Sequence, residues 1–307
     1  MNLWLPPLFN ALSTGSILLL AGLGLAITFG LMRVINMAHG EFIMTGAYMT
    51  YVMQIAFQKF VPERFFGFYF LCALPLAFGV TFAMGWLLET TVIRRLYGRP
   101  LDTLLATWGV SLILQQAARS IFGAANVDVQ APAWLDGQVK LANEVTLPYM
   151  RLFIMALSLA CLALMAIYLG KTAGGRRVQA VMQNREMASC LGISTRRVDA
   201  LAFSLGSGLA GVAGCAVALL GSIGSATGTN YIVDSFMVVV LGGVGTLLGT
   251  VAGAFGIGGL NTLWESQGWW PALATTSVAK VLTFVCIIAF LQWKPSGLVS
   301  TRSRALD

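Results

Sequence analysis

Uninterrupted apolar runs, each long enough to cross a bilayer, recur from one end of this chain to the other and leave it few folds to choose from. They are read at Leu8–Gly30, Gly40–Phe57, Phe66–Leu88, Thr103–Phe122, Leu152–Leu169, Ala200–Leu220 and Thr276–Trp293. A span needs about 20 apolar residues at a rise of ~1.5 Å each. Inside lipid the backbone must satisfy its own N–H and C=O groups, so a continuous apolar run becomes a helix. A β-barrel is excluded, because its strands alternate apolar and polar residues and these runs do not. Charged residues make up 10% of the chain and hydrophobic ones 57%, where a soluble domain carries about 25% charged. The fold class is therefore all-α: a polytopic integral membrane helical bundle. A further region, Tyr231–Leu263, is interrupted by glycines and reads as two short crossings or a re-entrant pair, making about eight transmembrane segments. Residues 1–307 form one membrane domain, with no linker and no internal repeat.

Cytoplasmic loops retain Lys and Arg, so the basic residues set the orientation. Arg33, Arg94, Arg95, Arg99, the stretch Lys171–Arg197 and the tail from Lys294 hold all but six of the 19 basic residues. The other six are Lys59, Arg64, Arg119, Lys140, Arg151 and Lys280. The loop at 171–199 and the C-terminus are thus expected in the cytoplasm and the N-terminus outside, with Tyr231–Leu263 leaving and returning on the outer side. The net charge of +7 reflects topology and is not a nucleic-acid footprint, since the basic residues flank membrane segments. The start MNLWLPPLFN has neither a basic n-region nor a small-residue cleavage site, so the first apolar segment is expected to remain.

Most chemistry is excluded by what is missing. The cysteines Cys72, Cys161, Cys190, Cys215 and Cys286 form no C-x-x-C pair and the only histidine is His39, so no metal site and no cofactor is expected. Gly170-Lys171-Thr172 lacks the first glycine of a phosphate loop. Gly206-x-Gly208-x-x-Gly211 fits the dinucleotide fingerprint by letter but lies within an apolar helix with no strand before it. The same residues give small-xxx-small spacing, Gly206-Ala210-Gly214 and Ser207-Gly211-Cys215, which lets helices approach closely. No nucleophile has a readable base, so no enzyme is expected and no catalytic residue is assigned.

Three regions remain as candidates for function. The polar island Lys171–Asp199 is the largest basic-side segment able to touch a soluble partner, with a short helix expected at Arg185–Leu191 and Gly192 ending it. Asn36, His39, Gly40 and Glu41 mark a chain reversal on the basic side and a possible gate; there Asn36 can cap the next helix and Glu41 complements its dipole. Leu241–Gly249 holds Gly242, Gly243 and Gly245, too many glycines for a stable isolated helix. Broken backbone at membrane depth either lines a solute pathway or packs closely, and both readings stand.

These blocks resemble the permease subunits of branched-chain amino acid ABC importers, the LivH-like group. The resemblance is carried by Asn36-Met37-Ala38-His39-Gly40-Glu41 with Gly46-Ala47-Tyr48, by Arg99-Pro100 with Ser111–Gln115, by Met187-Ala188-Ser189-x-Leu191-Gly192-Ile193, and by Val240–Gly245. Their order is collinear over nearly the whole chain. The polar island also has the Glu186-x-Ala188-x-x-x-Gly192 skeleton of the helix by which such permeases dock on their ATPase, which implies coupling roles for Arg185, Glu186, Ala188, Leu191 and Gly192. Within the group the wording looks most like the urea-importing, UrtB-like branch. That reading rests on Arg99–Ser111, Gln115-Gln116, Ala125–Val129 and Pro132-x-Trp134-Leu135. Many amino acid permeases have a proline after the glycine cluster, where this chain has Leu247-Leu248.

The resemblance implies a multi-pass inner-membrane subunit of a bacterial importer. Its implied partners are a second related permease as a heterodimer, two ABC ATPase subunits, a periplasmic binding protein and membrane lipid, with no nucleic acid. Urea is the solute it implies, with branched-chain or other neutral amino acids as the alternative and an ion-coupled carrier or channel as a more distant one. A neutral planar solute needs amide-like partners, and the candidate wall is Thr103, Thr107, Trp108, Gln115 and Gln116 with the glycine break, flanked by Asp102 and Asp234.

Overall fold

The computed structural model describes residues 5–32, 34–140, 146–266 and 276–299. Among them are α1 (Leu5–Met32), α2 (His39–Phe60), α3 (Tyr69–Thr91), α4 (Pro100–Phe122), α5 (Tyr149–Lys171), α6 (Ala173–Gln183), α7 (Arg185–Cys190), α8 (Thr195–Ala218), α9 (Thr227–Gly242), α10 (Leu247–Ser266) and α11 (Thr276–Trp293). The chain is an all-α polytopic membrane protein. One small exception lies between α4 and α5, where β1 (Gln138–Lys140) pairs antiparallel with β2 (Thr146–Pro148).

By length and apolarity, five stretches among the described residues can cross a bilayer: Pro6–Gly30, Glu63–Arg95, Tyr149–Lys171, Thr195–Ala218 and Leu247–Ser266. The expected count of about eight is not reached on that criterion. The shortfall has a physical pattern. Helix α2 carries Glu41 and Gln54, and α4 carries Asp102, Gln115 and Arg119, so both are long but less apolar. Helix α9 has 16 residues, short for a full span. The Tyr231–Leu263 region resolves into the helix pair α9 and α10.

Helix α8 is the centre of the bundle, with 89% of its apolar window buried. Lipid supplies no hydrophobic drive between helices, so close packing has to hold them. The small residues of α8 serve that end on several sides. Gly206 lies against Gly24 of α1, and Gly211 and Gly214 lie against Gly46 and Ile43 of α2. Ser207 fills the space beside Gly85 of α3. A β-carbon on Gly46 would strike the Gly211 backbone. The small-xxx-small reading of this helix is therefore the physical one.

At one end of the bundle sit α6, α7 and the turn between α9 and α10; this is the basic end. At the far end the 123–137 loop is tied down by several contacts. Gln130 N–H donates to Gln54 Oε1 at 2.9 Å, Tyr69 Oη–H donates to Gln130 O, and Trp134 Nε1–H donates to Gly67 O at 2.8 Å. Val127 exchanges backbone hydrogen bonds with Ile223 at 2.9 and 2.8 Å.

Candidate functional site

Helix α2 begins inside the bundle, not at its face. Helix α1 ends at Met32, Arg33 lies outside the described residues, and Val34–Ala38 turns back among the helices. His39 Nε2 is 3.0 Å from the carbonyl of Ala21, about three turns before the end of α1, or roughly 16 Å at the α-helical rise. His39 and Glu41 are 0% and 1% exposed. The expected reversal at the basic face is therefore a re-entry to depth. Asn36 organises it, since its Oδ1 accepts the Ala38 N–H at 3.0 Å and its carbonyl accepts the His39 N–H at 3.3 Å. Gly40 is needed here because a β-carbon on it would strike the carbonyl of Gly228 at the start of α9. His39 and Glu41 bind different partners and form no acid–base pair.

Helix α4 leans mainly on α2 and offers it a polar ladder. Thr103, Thr107, Ser111, Gln115 and Arg119 recur every fourth residue, so they form one winding stripe. Each rung has a partner. Thr103 Oγ1 donates to Arg99 O at 2.9 Å. Thr107 Oγ1 accepts the Met37 N–H at 3.1 Å. Ser111 Oγ and Gln115 Nε2 both donate to Glu41 Oε1, at 2.9 and 2.8 Å. Gln115 Nε2 also lies 3.3 Å from Thr229 Oγ1 of α9, and Arg119 Nε donates to Ser225 Oγ at 2.8 Å. The second carboxylate oxygen of Glu41, Oε2, has no hydrogen-bond partner, and neither has Asn36 Nδ2.

Of the expected pathway residues, Gln115 thus meets Glu41 and Thr107 meets the turn beside Asn36, while Thr103 bonds only to the backbone of Leu96 and Arg99. Trp108 meets neither: it is 52% exposed on another face of α4, and Gln116 is exposed beside Gln115. The glycine break is also elsewhere. Gly243 and Gly245 adopt φ of 105° and 83° in a tight turn at the basic end, which only glycine takes without strain. Gly242 packs on Gly249, and Gly245 on Gly30. The freed carbonyls of Leu241 and Gly242 accept the N–H groups of Leu298 and Val299 at 2.8 and 3.0 Å. Close packing, not a free carbonyl wall, is what these glycines provide. Ser111 and Thr229 were not among the expected site residues. The four-residue spacing of the ladder points to Ser111, but nothing local in the sequence marks Thr229. Asp234 pairs with Lys280 of α11 at 2.9 Å, and Asp102 lies 3.8 Å from Arg99 on the surface.

At the basic end the polar island folds into two helices, one more than expected. Thr172 Oγ1 caps α6 by accepting the Gly175 N–H at 3.0 Å, and Asn184 Oδ1 caps α7 by accepting the Met187 N–H at 2.9 Å. Gly192, at φ 79°, ends α7, and the Ile193 N–H returns to the Ala188 carbonyl at 3.0 Å. Ala188 is buried while Met187 and Leu191, one turn apart, are 58% and 74% exposed. Glu186, Arg196 and Arg197 are also exposed. Arg185 is also exposed, with 41% of its side chain accessible, yet its guanidinium reaches down onto the bundle. It pairs with buried Asp199 at the start of α8, and its guanidinium lies 4.9 Å from the Tyr97 ring centroid. Burial, together with the Asp199 and Glu89 carboxylates, holds the Tyr97 phenol above its usual range, so it stays neutral.

Comparison with known proteins follows the same outline. Over 303 residues the chain is 27% identical to the high-affinity branched-chain amino acid transport system permease protein LivH of Escherichia coli (strain K12), covering 96% of this chain and 95% of the relative. It is 26% identical over 302 residues to BraD of Pseudomonas aeruginosa, of the same description, with the same coverage. A partial match, 33% over 150 residues and 45% of this chain (43% of the relative), joins it to the autoinducer 2 import system permease protein LsrC of Salmonella paratyphi B. No solved structure matches. Residues 8–291, nearly the whole bundle including the re-entrant turn, the α4 ladder and the α6–α7 unit, match the permease component of branched-chain amino acid transport systems, and the chain belongs to that family.

Proposed function

We infer that the chain is one permease subunit of an ABC importer, with the basic end in the cytosol and the solute pathway on the α4 side of the bundle. The observation that carries this reading is the build of α7. It is a capped helix, anchored underneath through Ala188 and Arg185, with an exposed apolar pair, Met187 and Leu191, pointing away from the bundle. An exposed apolar pair beside charged residues suits a soluble partner, here the ATPase subunits that supply the energy. A separate binding protein delivers the solute, and a second permease completes the pathway.

The solute class best supported is neutral amino acids with branched side chains, because likeness to LivH and BraD runs along 96% of the chain. Urea is the second reading. It is favoured by the wording of Arg99–Ser111 and by a site whose polar groups around Glu41 (Ser111, Gln115 and Thr229) are neutral amide and hydroxyl groups. Uptake of labelled leucine and labelled urea by proteoliposomes holding the complete transporter separates the two. Leucine is expected to accumulate with ATP; accumulation of urea alone reverses the choice. Gly192→Val tests the coupling role. Its φ of 79° disfavours a β-branched residue by roughly 1–2 kcal/mol, which distorts the end of α7 and leaves the bundle intact. Membrane insertion is expected to persist while uptake is abolished. Normal uptake by this variant removes the coupling assignment.

A further inference from the structure

Glu41 presents a carboxylate buried at helix depth with half of its bonding capacity unused. Oε1 is held by Ser111 and Gln115; Oε2 is unpartnered and faces Gly228, where it would stand 2.9 Å from a β-carbon. No cation pairs with Glu41 among the described residues, although every other buried carboxylate there has one: Glu89 with Arg94, Asp199 with Arg185 and Asp234 with Lys280. A buried acceptor without a donor costs about 1–3 kcal/mol, and more when charged. An arrangement that tolerates this cost is explained if a donor arrives from outside. The approach exists, since Gln115 and Thr229, which adjoin the carboxylate, lie partly or fully at the surface of the bundle. The first turns of α2 and α9 meet here through Gly40 and Gly228.

We propose that Glu41 is a solute-binding residue of the translocation pathway, whose free Oε2 accepts N–H groups of a net-neutral solute while Ser111 and Gln115 fix its direction. This rests on the importer reading above and deepens it. The shared chemistry is an N–H donor, either the ammonium of an amino acid or the amide of urea. An anionic solute is disfavoured at Glu41 itself, because the carboxylate has no cation paired with it among the described residues. Thr107, Ser111, Gln115 and Arg119 continue the polar line along α4 on both sides of this point. The solute thus has hydrogen-bonding groups before and after it.

The test uses the complete transporter in proteoliposomes, with uptake of labelled leucine and labelled urea and ATP hydrolysis stimulated by loaded binding protein. Glu41→Gln is expected to cut uptake by roughly 10- to 100-fold, the factor for losing a charge-assisted hydrogen bond, while stimulated hydrolysis persists. A purely structural role would lower both together, and that result overturns the proposal. Unchanged uptake also overturns it. Should Glu41→Gln fail to assemble, Gln115→Met decides, since it frees the carboxylate from one of its two guides at a partly exposed position. Lower uptake with retained hydrolysis supports the site, and equal uptake overturns it. A wild-type complex that carries neither solute sinks the importer reading itself, whereas a wild type that carries one, matched by Glu41→Gln, sinks the site alone.

Discussion

Glu41 and Asp199 are both carboxylates at 1% exposure or less, yet they sit in opposite company. Asp199 opens α8 at the basic end and is paired with Arg185, whose other face covers Tyr97. Glu41 opens α2 in the interior and is held only by neutral donors, with one oxygen free. The paired Asp199 ties α7 to α8 and has both of its oxygens taken by Arg185. An unpaired carboxylate with neutral guides is oriented but unspent. The proposed coupling role at the basic end and the proposed solute site in the interior rest on this contrast.

Breaking the pair from either side should give unequal results. Arg185→Ala leaves Asp199 buried and unpartnered by a cation, and is expected to destabilise the protein by roughly 3–5 kcal/mol, read as a large drop in thermal midpoint in detergent. Asp199→Asn leaves Arg185 part-exposed over the Tyr97 ring, so its loss should be smaller, about 1–2 kcal/mol. Equal losses would mean that the pair contributes packing and not charge. The smallest effect is expected in the interior. Glu41→Leu strands no cation and removes a buried charge, so the midpoint should hold or rise slightly, even as uptake is lost. A fall as deep as that of Arg185→Ala would erase the contrast between the two sites and make Glu41 a structural residue.

Part of this was legible in the sequence. The seven runs fall on α1–α5, α8 and α11 with ends shifted by a few residues, because apolar length alone selects a helix in lipid. The small-residue spacing of Gly206–Cys215 foretold the tight seat of α8. The glycine break was visible as a break, but its location was not. Gly242, Gly243 and Gly245 close a turn at the basic end, where the Leu298 and Val299 N–H groups take the freed carbonyls. Trp108 and Gln116 were chosen for chemistry and lie on exposed faces of α4, away from Glu41. The four-residue spacing of Thr103, Thr107, Ser111, Gln115 and Arg119 marks the stripe that turns to α2, and neither Trp108 nor Gln116 lies on it. The ion pair of Arg185 was not legible, since nothing beside it in sequence announces Asp199.

What the residues decided alone was the helical, membrane-spanning class of the apolar segments, the separation of basic from apolar segments, and the stop at Gly192. These follow from local properties: transfer of side chains into lipid, backbone self-satisfaction and the φ that glycine allows. What only the tertiary structure decided was which polar groups meet. Glu41 reaches Ser111 and Gln115, some 70 residues away, because α2 re-enters beside α1 and α4 lies along it. Hydrogen bonds are short-ranged and directional, so a polar residue's role is set by the neighbour that packing brings to it, and that neighbour is not written at any fixed spacing.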